Sequence, residues 1–390
     1  MRTERLFKGI QKGVRMNAGS AKQLARDWVR AQVSIWDGLR AAHLVGGLAT
    51  MPDDAPFPAY KDVDLHLIFA NGSPMLQPTG PFMNIIETTY EGMLIEAGIK
   101  AEGDYDSPEA VLGNPEIAGH LSSSNTLYDP EELLSGLVAP VRSAYAERRW
   151  VQTRINAERS GLEGTLSRLP VLQATHDRAG AFMLIGYSCI YAAAALQVAA
   201  LRPPRIGSQM LLHVRRLLQA HDRSDLYEGF LAMLGVQQVA PNQVVAWLAE
   251  GIELFDLAVQ VRRTPHPFQH KLHAHLRPYF VDSCRAMLAA GDYREACTWL
   301  IAYYLACTDV LLVDGPAEDR PRWAARRDAL LAELGLASDR AVADRLSRAQ
   351  QLHAACFALA DEIVRTHPDV TDGPVHRSHA VDGWAEQPRP

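Results

Sequence analysis

Cysteine is scarce and unpatterned in this chain. Among 390 residues there are five, Cys189, Cys284, Cys297, Cys307 and Cys356, and no two form a C-x-x-C pair. An odd, scattered set excludes a disulfide framework and a thiolate zinc site, and it reads as reduced core thiols in a cytoplasmic protein. Positive charge is also in deficit, with 39 Lys and Arg against 45 Asp and Glu for a net charge of −6. Nonspecific affinity for DNA or RNA rests on clustered Lys and Arg, so no nucleic-acid partner is expected. There is no G-x-G-x-x-G after a strand, no P-loop and no G-x-S-x-G elbow, which removes dehydrogenase, P-loop kinase and serine-hydrolase readings. No internal repeat marks a solenoid. The basic N-terminus (Arg2, Arg5, Lys8, Lys12, Arg15) is not followed by an apolar run, so no secretory signal is expected. The one uncharged stretch long enough for a bilayer, 179–201, is dominated by Ala and includes Tyr187, Ser188, Tyr191 and Gln197. A buried bundle helix is the expectation there, with no membrane partner.

What is present is an ordinary globular composition, 48% hydrophobic and 22% charged, with room for two or three domains. Leu24, Trp28, Ile35 and Leu39 recur at helical spacing over 20–41, so a helix is expected ahead of the first strand. Short strands and turns fill 42–130. Beyond Pro130 the pattern is helical, with helices expected over 131–137, 141–168, 179–201, 208–221, 226–234 and 242–261. Thr264-Pro265-His266-Pro267 reads as a boundary. The expected division is an N-terminal segment (1–19), an α+β domain (20–140), a helical bundle (141–263), a C-terminal helical extension (264–365) and a mobile tail (366–390). The aromatic stripe from Tyr293 to Tyr304 reads as core, or as the lining of an acceptor pocket. His266, His270, His273 and His275 read as linker and helix-start residues rather than zinc ligands, because Pro267 forbids the helix that would align the first two.

The chemistry-bearing segment is Tyr60-Lys61-Asp62-Val63-Asp64-Leu65-His66-Leu67-Ile68-Phe69. Its alternation puts Asp62, Asp64 and His66 on one face of a strand and Val63, Leu65 and Leu67 on the other. Two carboxylates therefore converge against a dry backing, and hard oxygen ligands at that spacing suit Mg²⁺. Just upstream, His43-Leu44-Val45-Gly46-Gly47 offers a glycine turn whose amides can cradle a phosphate. Downstream, Glu96 stands alone in the apolar run Met93 to Ile99, where burial without a cation is costly. It reads as the third ligand, the alternative being an edge-strand Glu facing water. A second D-x-D, Asp104-Tyr105-Asp106, lies beside Gly103, Ser107 and Pro108 and reads as a turn or helix cap.

Glycine turn, D-x-D strand and third acidic strand in this order resemble the nucleotidyltransferase superfamily, and most closely its kanamycin nucleotidyltransferase type. The likeness extends through Leu127-Tyr128-Asp129-Pro130, the following helix from Glu147-Arg148-Arg149-Trp150 onward and, further on, the Ala-rich core helix at Ala181-Phe182-Met183-Leu184-Ile185-Gly186, covering about residues 40–262. What the resemblance implies is a mixed-sheet α+β domain followed by a helical bundle, with Mg²⁺ held by Asp62, Asp64 and Glu96. It further implies a nucleoside triphosphate, ATP, on Gly46 and Gly47 with help from Lys61 and Arg168. Arg148 and Arg149 are further candidates for the phosphates. Counted without a gap from Tyr128, the family's general base falls on Glu163. The family's turn is commonly Gly-Ser, and Gly47 departs from it. The expected reaction is transfer of a nucleoside monophosphate to a hydroxyl of a small molecule, aminoglycoside-like or another natural product. Transfer of AMP to a protein, or a noncatalytic scaffold, are the alternatives. The sequence leaves the acceptor and a homodimer open.

Overall fold

The computed structural model describes residues 16–76, 84–122 and 125–373. The chain is α+β, a mixed sheet followed by many helices, and it divides into two compact units. The first comprises 1–151 and 368–390, the second 152–367. The cut falls inside a helix, and the second unit contains both the bundle segment and the later helical block, with Thr264-Pro265-His266-Pro267 in its interior course.

In the first unit a short strand β1 (Met16–Asn17) pairs with β3 (Pro56–Phe57). The main sheet holds β2 (Leu39–Leu44), β4 (Asp62–Phe69), β5 (Ile85–Tyr90), β6 (Met93–Ala101) and β7 (Thr126–Tyr128) in the order β5-β6-β4-β2-β7. Only β4 and β6 run parallel; the other pairs are antiparallel. Helix α1 (Ala18–Gln32) starts on Asn17, whose side chain accepts from Ser20 N at 2.8 Å. Small residues Ala18, Ala21 and Ala25 let it lie close to the sheet, where Trp28 and Val29 meet Val63, Leu65 and Leu67 of β4 and Ile95, Ala97 and Ile99 of β6 in one buried cluster. Removing such aliphatic side chains from water is worth roughly 1.5–3 kcal/mol each. The expected helix over 20–41 stops early: Gly38 turns the chain at φ +79°, Ile35 is exposed, and Leu39 already belongs to β2.

Two short helices, α2 (Pro108–Gly113) and α3 (Pro115–Leu121), follow β6. Asp129 then receives Leu134 N, Ser135 N and Ser135 Oγ at the start of α4 (Leu133–Ala144). This helix runs through Pro140, where a break was expected. The interruption comes instead at Glu147, which forms a parallel bridge with Thr371. Thr371 N donates to Ala146 O at 3.1 Å, Arg148 N donates to Thr371 O at 2.7 Å, and Arg148 Nε meets Asp372 at 2.7 Å. The beginning of the expected tail is thus tied into the first unit, while 374–390 lie outside the described residues.

The second unit carries α5 (Arg148–Leu166, entering from the first unit), α6 (Leu169–Ala174), α7 (Arg178–Ala199), α8 (Met210–Ala220), α9 (Ser224–Leu234), α10 (Pro241–Val261), α11 (Arg277–Ala289), α12 (Tyr293–Asp314), α13 (Arg320–Glu333) and α14 (Asp339–Thr366). Helix α7 packs on α14, and α12 on α10. Both α7 and α12 are long and apolar enough to cross a membrane, and most of each is buried within the protein. The second was not expected, because Arg294 and Glu295 at its start mask the uncharged run that follows. Buried Arg345 of α14 donates to Met233 O at 2.8 Å and Leu334 O at 2.6 Å, carbonyls at the C-terminal ends of α9 and α13 that have no partner within their helices. All five cysteines are buried and unbridged.

Candidate functional site

The expected face of β4 forms. Val63, Leu65 and Leu67 enter the core under α1, while Asp62 and Asp64 stay half-buried on the opposite side. The parallel register sets Asp64 directly beside Glu96. Glu96 lies on an interior strand, flanked by β4 and β5, so the edge-strand alternative does not apply. One carboxylate oxygen from each of Asp62, Asp64 and Glu96 falls within 4.8 Å of the others. Like charges directly opposed across a sheet repel. Two oxygens trans across an octahedral Mg²⁺ are about 4.2 Å apart, twice the ~2.1 Å bond, so the trio fits one divalent cation or a bridged pair. Among the described residues no other group of three His, Cys, Asp or Glu converges this way.

A fourth carboxylate was missed. The hairpin between β5 and β6 closes on Glu91 and Gly92, at φ +48° and +78°, the signs of a two-residue type I′ turn. That turn pairs Tyr90 with Met93 and therefore Glu87 with Glu96. Asp64, Glu96 and Glu87 form one row across three strands. Counting back from the Glu91-Gly92 turn could have found it.

The glycine turn serves the same spot. Val45 N donates to Asp64 O at 3.0 Å, after which Gly46 turns at φ +61°. A Cβ on Gly46 would collide with the Asp64 carboxylate. Gly47, by contrast, has ordinary right-handed backbone, and a Cβ there meets nothing within 4 Å. The acidic loop that follows is partly neutralised, since Lys22 Nζ pairs with Asp53 at 2.9 Å and donates to Met51 O at 2.6 Å. Lys61 is half-buried at the start of β4.

Beyond Asp64 on the same face lies a buried polar network absent from the sequence reading. His43 of β2 and His66 of β4 are cross-strand partners. Tyr105, from the second D-x-D, places its hydroxyl 3.0 Å from His43 Nε2 and 3.1 Å from His66 Nδ1. His43 Nδ1 is 3.2 Å from Leu44 O and so carries the proton there. The Tyr105 hydroxyl thus bridges the two imidazoles. His66 Nε2 faces Glu116 Oε1 at 3.3 Å, an oxygen that also receives Lys100 Nζ at 2.7 Å. Burial holds His43 well below the ordinary imidazole value, helped by neighbouring His66. Burial also lowers His66, though Glu116 opposes it. Desolvation would raise Glu116, but the group is largely exposed, and the His66 hydrogen bond and the Lys100 charge hold its carboxyl well below the ordinary carboxylate range. Tyr105 is pushed well up by burial and stays a donor. The signal for this network was the placement of His43 and His66 on the carboxylate face of adjacent strands.

The remaining candidates lie elsewhere in the chain. Glu163 and Arg168 belong to the second unit, exposed on and just after α5. Arg148 and Arg149 are engaged with Asp372 and Glu147.

No family model matches this chain, and no curated protein matches it in sequence. Among solved structures it is similar to a nucleotidyltransferase-like protein from Exiguobacterium sibiricum 255-15, at 13% identity and a TM-score of 0.28, over 70% of this chain and 92% of that one. The functional reading rests on the geometry of the carboxylates.

Proposed function

We propose that this protein is a metal-dependent nucleotidyltransferase that moves a nucleoside monophosphate from ATP to a hydroxyl of a small molecule. The observation that carries the proposal is the convergence of Asp62, Asp64 and Glu96 on one sheet face, beside a glycine turn that only a residue without a side chain can make. A bound Mg²⁺ would neutralise phosphate charge and polarise the reacting phosphoryl group. Asp62, Asp64 and Glu96 would hold it, the turn amides of Gly46 and Gly47 would receive phosphate oxygens, and Lys61 would add positive charge. Arg168 is the candidate for further phosphate contact. The family resemblance puts the base that takes the acceptor proton at Glu163.

Titration calorimetry with a nonhydrolysable ATP analogue and Mg²⁺, followed by label transfer from α-labelled ATP to hydroxyl compounds, tests this reading. Asp64→Asn is expected to abolish Mg²⁺-dependent analogue binding while leaving thermal stability unchanged or higher, since one of several clustered negative charges is gone. Glu163→Gln is expected to keep analogue binding and lower kcat by about 10²- to 10⁴-fold. Metal-independent binding in the wild type, or unaltered binding in Asp64→Asn, overturns the metal reading. Label appearing on protein would move the assignment to protein modification.

A further inference from the structure

The glycine turn and the carboxylates come from different strands. Gly46 and Gly47 follow β2, Asp62 and Asp64 stand on β4, and Glu96 stands on β6. Strands β4 and β6 pair in unbroken parallel register from Asp62↔Leu94 to Phe69↔Ala101. Strand β2 is held less regularly, since its register shifts against β4 between Leu39 and Ala41 and against β7 between Ala42 and His43. Yet the turn into which β2 leads stands so close to Asp64 that a Cβ on Gly46 would collide with the carboxylate. The imidazole–phenol bridge lies at the irregular point. His43 and His66 face each other across β2 and β4 with ring centroids 5.1 Å apart, and the Tyr105 hydroxyl is 3.0 Å from the first and 3.1 Å from the second. All three side chains are buried. Tyr105 ends the 3₁₀ turn Glu102–Tyr105 that follows β6, so a single hydroxyl joins the segments that carry the turn, Asp64 and Glu96. Along β4 the bridge is two residues, roughly 7 Å, from Asp64, and along β2 it is three residues before Gly46.

We propose, resting on the metal-dependent reading of the carboxylates, that Tyr105 is a positioning residue: it fixes the glycine turn against Asp64 by clamping the end of β2 onto β4. It acts through His43 and His66 rather than by touching substrate. The carboxylates need no such help, because β4 and β6 carry all three between them and pair along the whole of β4. What the bridge sets is the gap between the turn amides and the metal, which must hold one triphosphate together. A misplacement of about 1 Å between groups that act together can cost 10²-fold in rate.

The full chain is titrated with Mn²⁺ alone, read by electron paramagnetic resonance, and with a nonhydrolysable ATP analogue with and without Mn²⁺, read by calorimetry, all well below the melting temperature. Tyr105→Phe is expected to bind Mn²⁺ alone as the wild type does, and to lose about tenfold or more of the analogue's metal-dependent affinity, the scale of one hydrogen bond to a charged group. At position 43, Gln presents its amide near the place of the imidazole Nε2, and Asn near that of Nδ1. His43→Gln is therefore expected to keep the metal-dependent affinity, and His43→Asn to lose it while retaining the contact with Leu44 O. This pair decides the matter if Tyr105→Phe does not fold. Val29→Ala removes methyl groups from the core on the opposite face of the sheet and reports on lost stability alone, so it should bind metal and analogue as the wild type does. A wild type that binds no Mn²⁺ overturns the metal reading and the proposal with it. Where the wild type binds, four results overturn the positioning role alone: full analogue affinity in Tyr105→Phe, equal losses of Mn²⁺ and analogue, a loss of analogue in Val29→Ala, or equal affinities in the two His43 variants.

Discussion

Two adjacent glycines have opposite requirements. Gly46 combines φ +61° with an approach to Asp64 so close that a methyl group cannot be accommodated, and the obstacle is the carboxylate that the site needs in place. Gly46→Ala is therefore expected to displace Asp64, abolish Mg²⁺-dependent binding of the ATP analogue and cost roughly 1–3 kcal/mol from backbone strain alone. Gly47 has neither constraint. Gly47→Ser is expected to fold with unchanged stability, within about 0.5 kcal/mol, and to bind the analogue at least as well as the wild type, because the added hydroxyl stands in open space. Calorimetry and urea unfolding of the pair check both halves. Which glycine is indispensable was not readable from the letters, because the reason is a contact with a residue 18 positions away.

At the scale of elements, β4 shows how much alternation alone reveals. Its apolar positions and its acidic face were legible, because strand parity is a local property, whereas its parallel pairing with the strand of Glu96 is long-range. Tyr105 was not legible either, since a turn carries no periodicity and its partners lie 62 and 39 residues away. Its hydroxyl ties β2 to β4 through two buried imidazoles. Tyr105→Phe keeps the ring but leaves nitrogens of His43 and His66 unpaired, and is expected to destabilise the protein by about 1–3 kcal/mol in urea unfolding. A change under about 0.5 kcal/mol would show that the bridge is dispensable. In the helical unit, Asp314 at the end of α12 plays a similar part, accepting Arg263 N at 2.6 Å, Thr264 N at 2.8 Å and Thr264 Oγ1 at 2.7 Å. These backbone and hydroxyl bonds hold its carboxyl down to about 2. A depressed acid stabilises the fold fully above its unfolded pKa, about 3.9, and loses that contribution as pH falls through the folded value. The difference in melting temperature between wild type and Asp314→Asn is therefore expected to be constant above about pH 5 and to shrink towards pH 2. A difference that holds steady through that window would mean that the charge is not what the three donors recognise.

At the scale of the whole chain, the sequence conveyed the class of the fold and the change from strands to helices after Pro130, but not the path of the C-terminus. Pro, Gly and Asp without periodicity predicted a tail from residue 366, and composition has no means of registering a single long-range bridge. The described part of that segment belongs to the first unit: Val370 is buried, and Thr371 exchanges two main-chain hydrogen bonds with the Ala146–Arg148 segment. The described residues of the first unit thereby come from segments before and after the second unit in the sequence. A chain ending at Gly373 keeps every one of these contacts, whereas one ending at His367 loses both main-chain bonds, the Val370 burial and the Arg148–Asp372 pair. The bonds and the buried valine together amount to about 2–4 kcal/mol, and the exposed ion pair adds little. A chain ending at His367 should melt several degrees below one ending at Gly373. The loss should fall on the unit that carries the carboxylates, so Mg²⁺-dependent analogue binding should fail at a lower temperature in the shorter chain. Equal melting of the two truncated chains would mean that the bridge at Glu147 contributes nothing to holding that unit together.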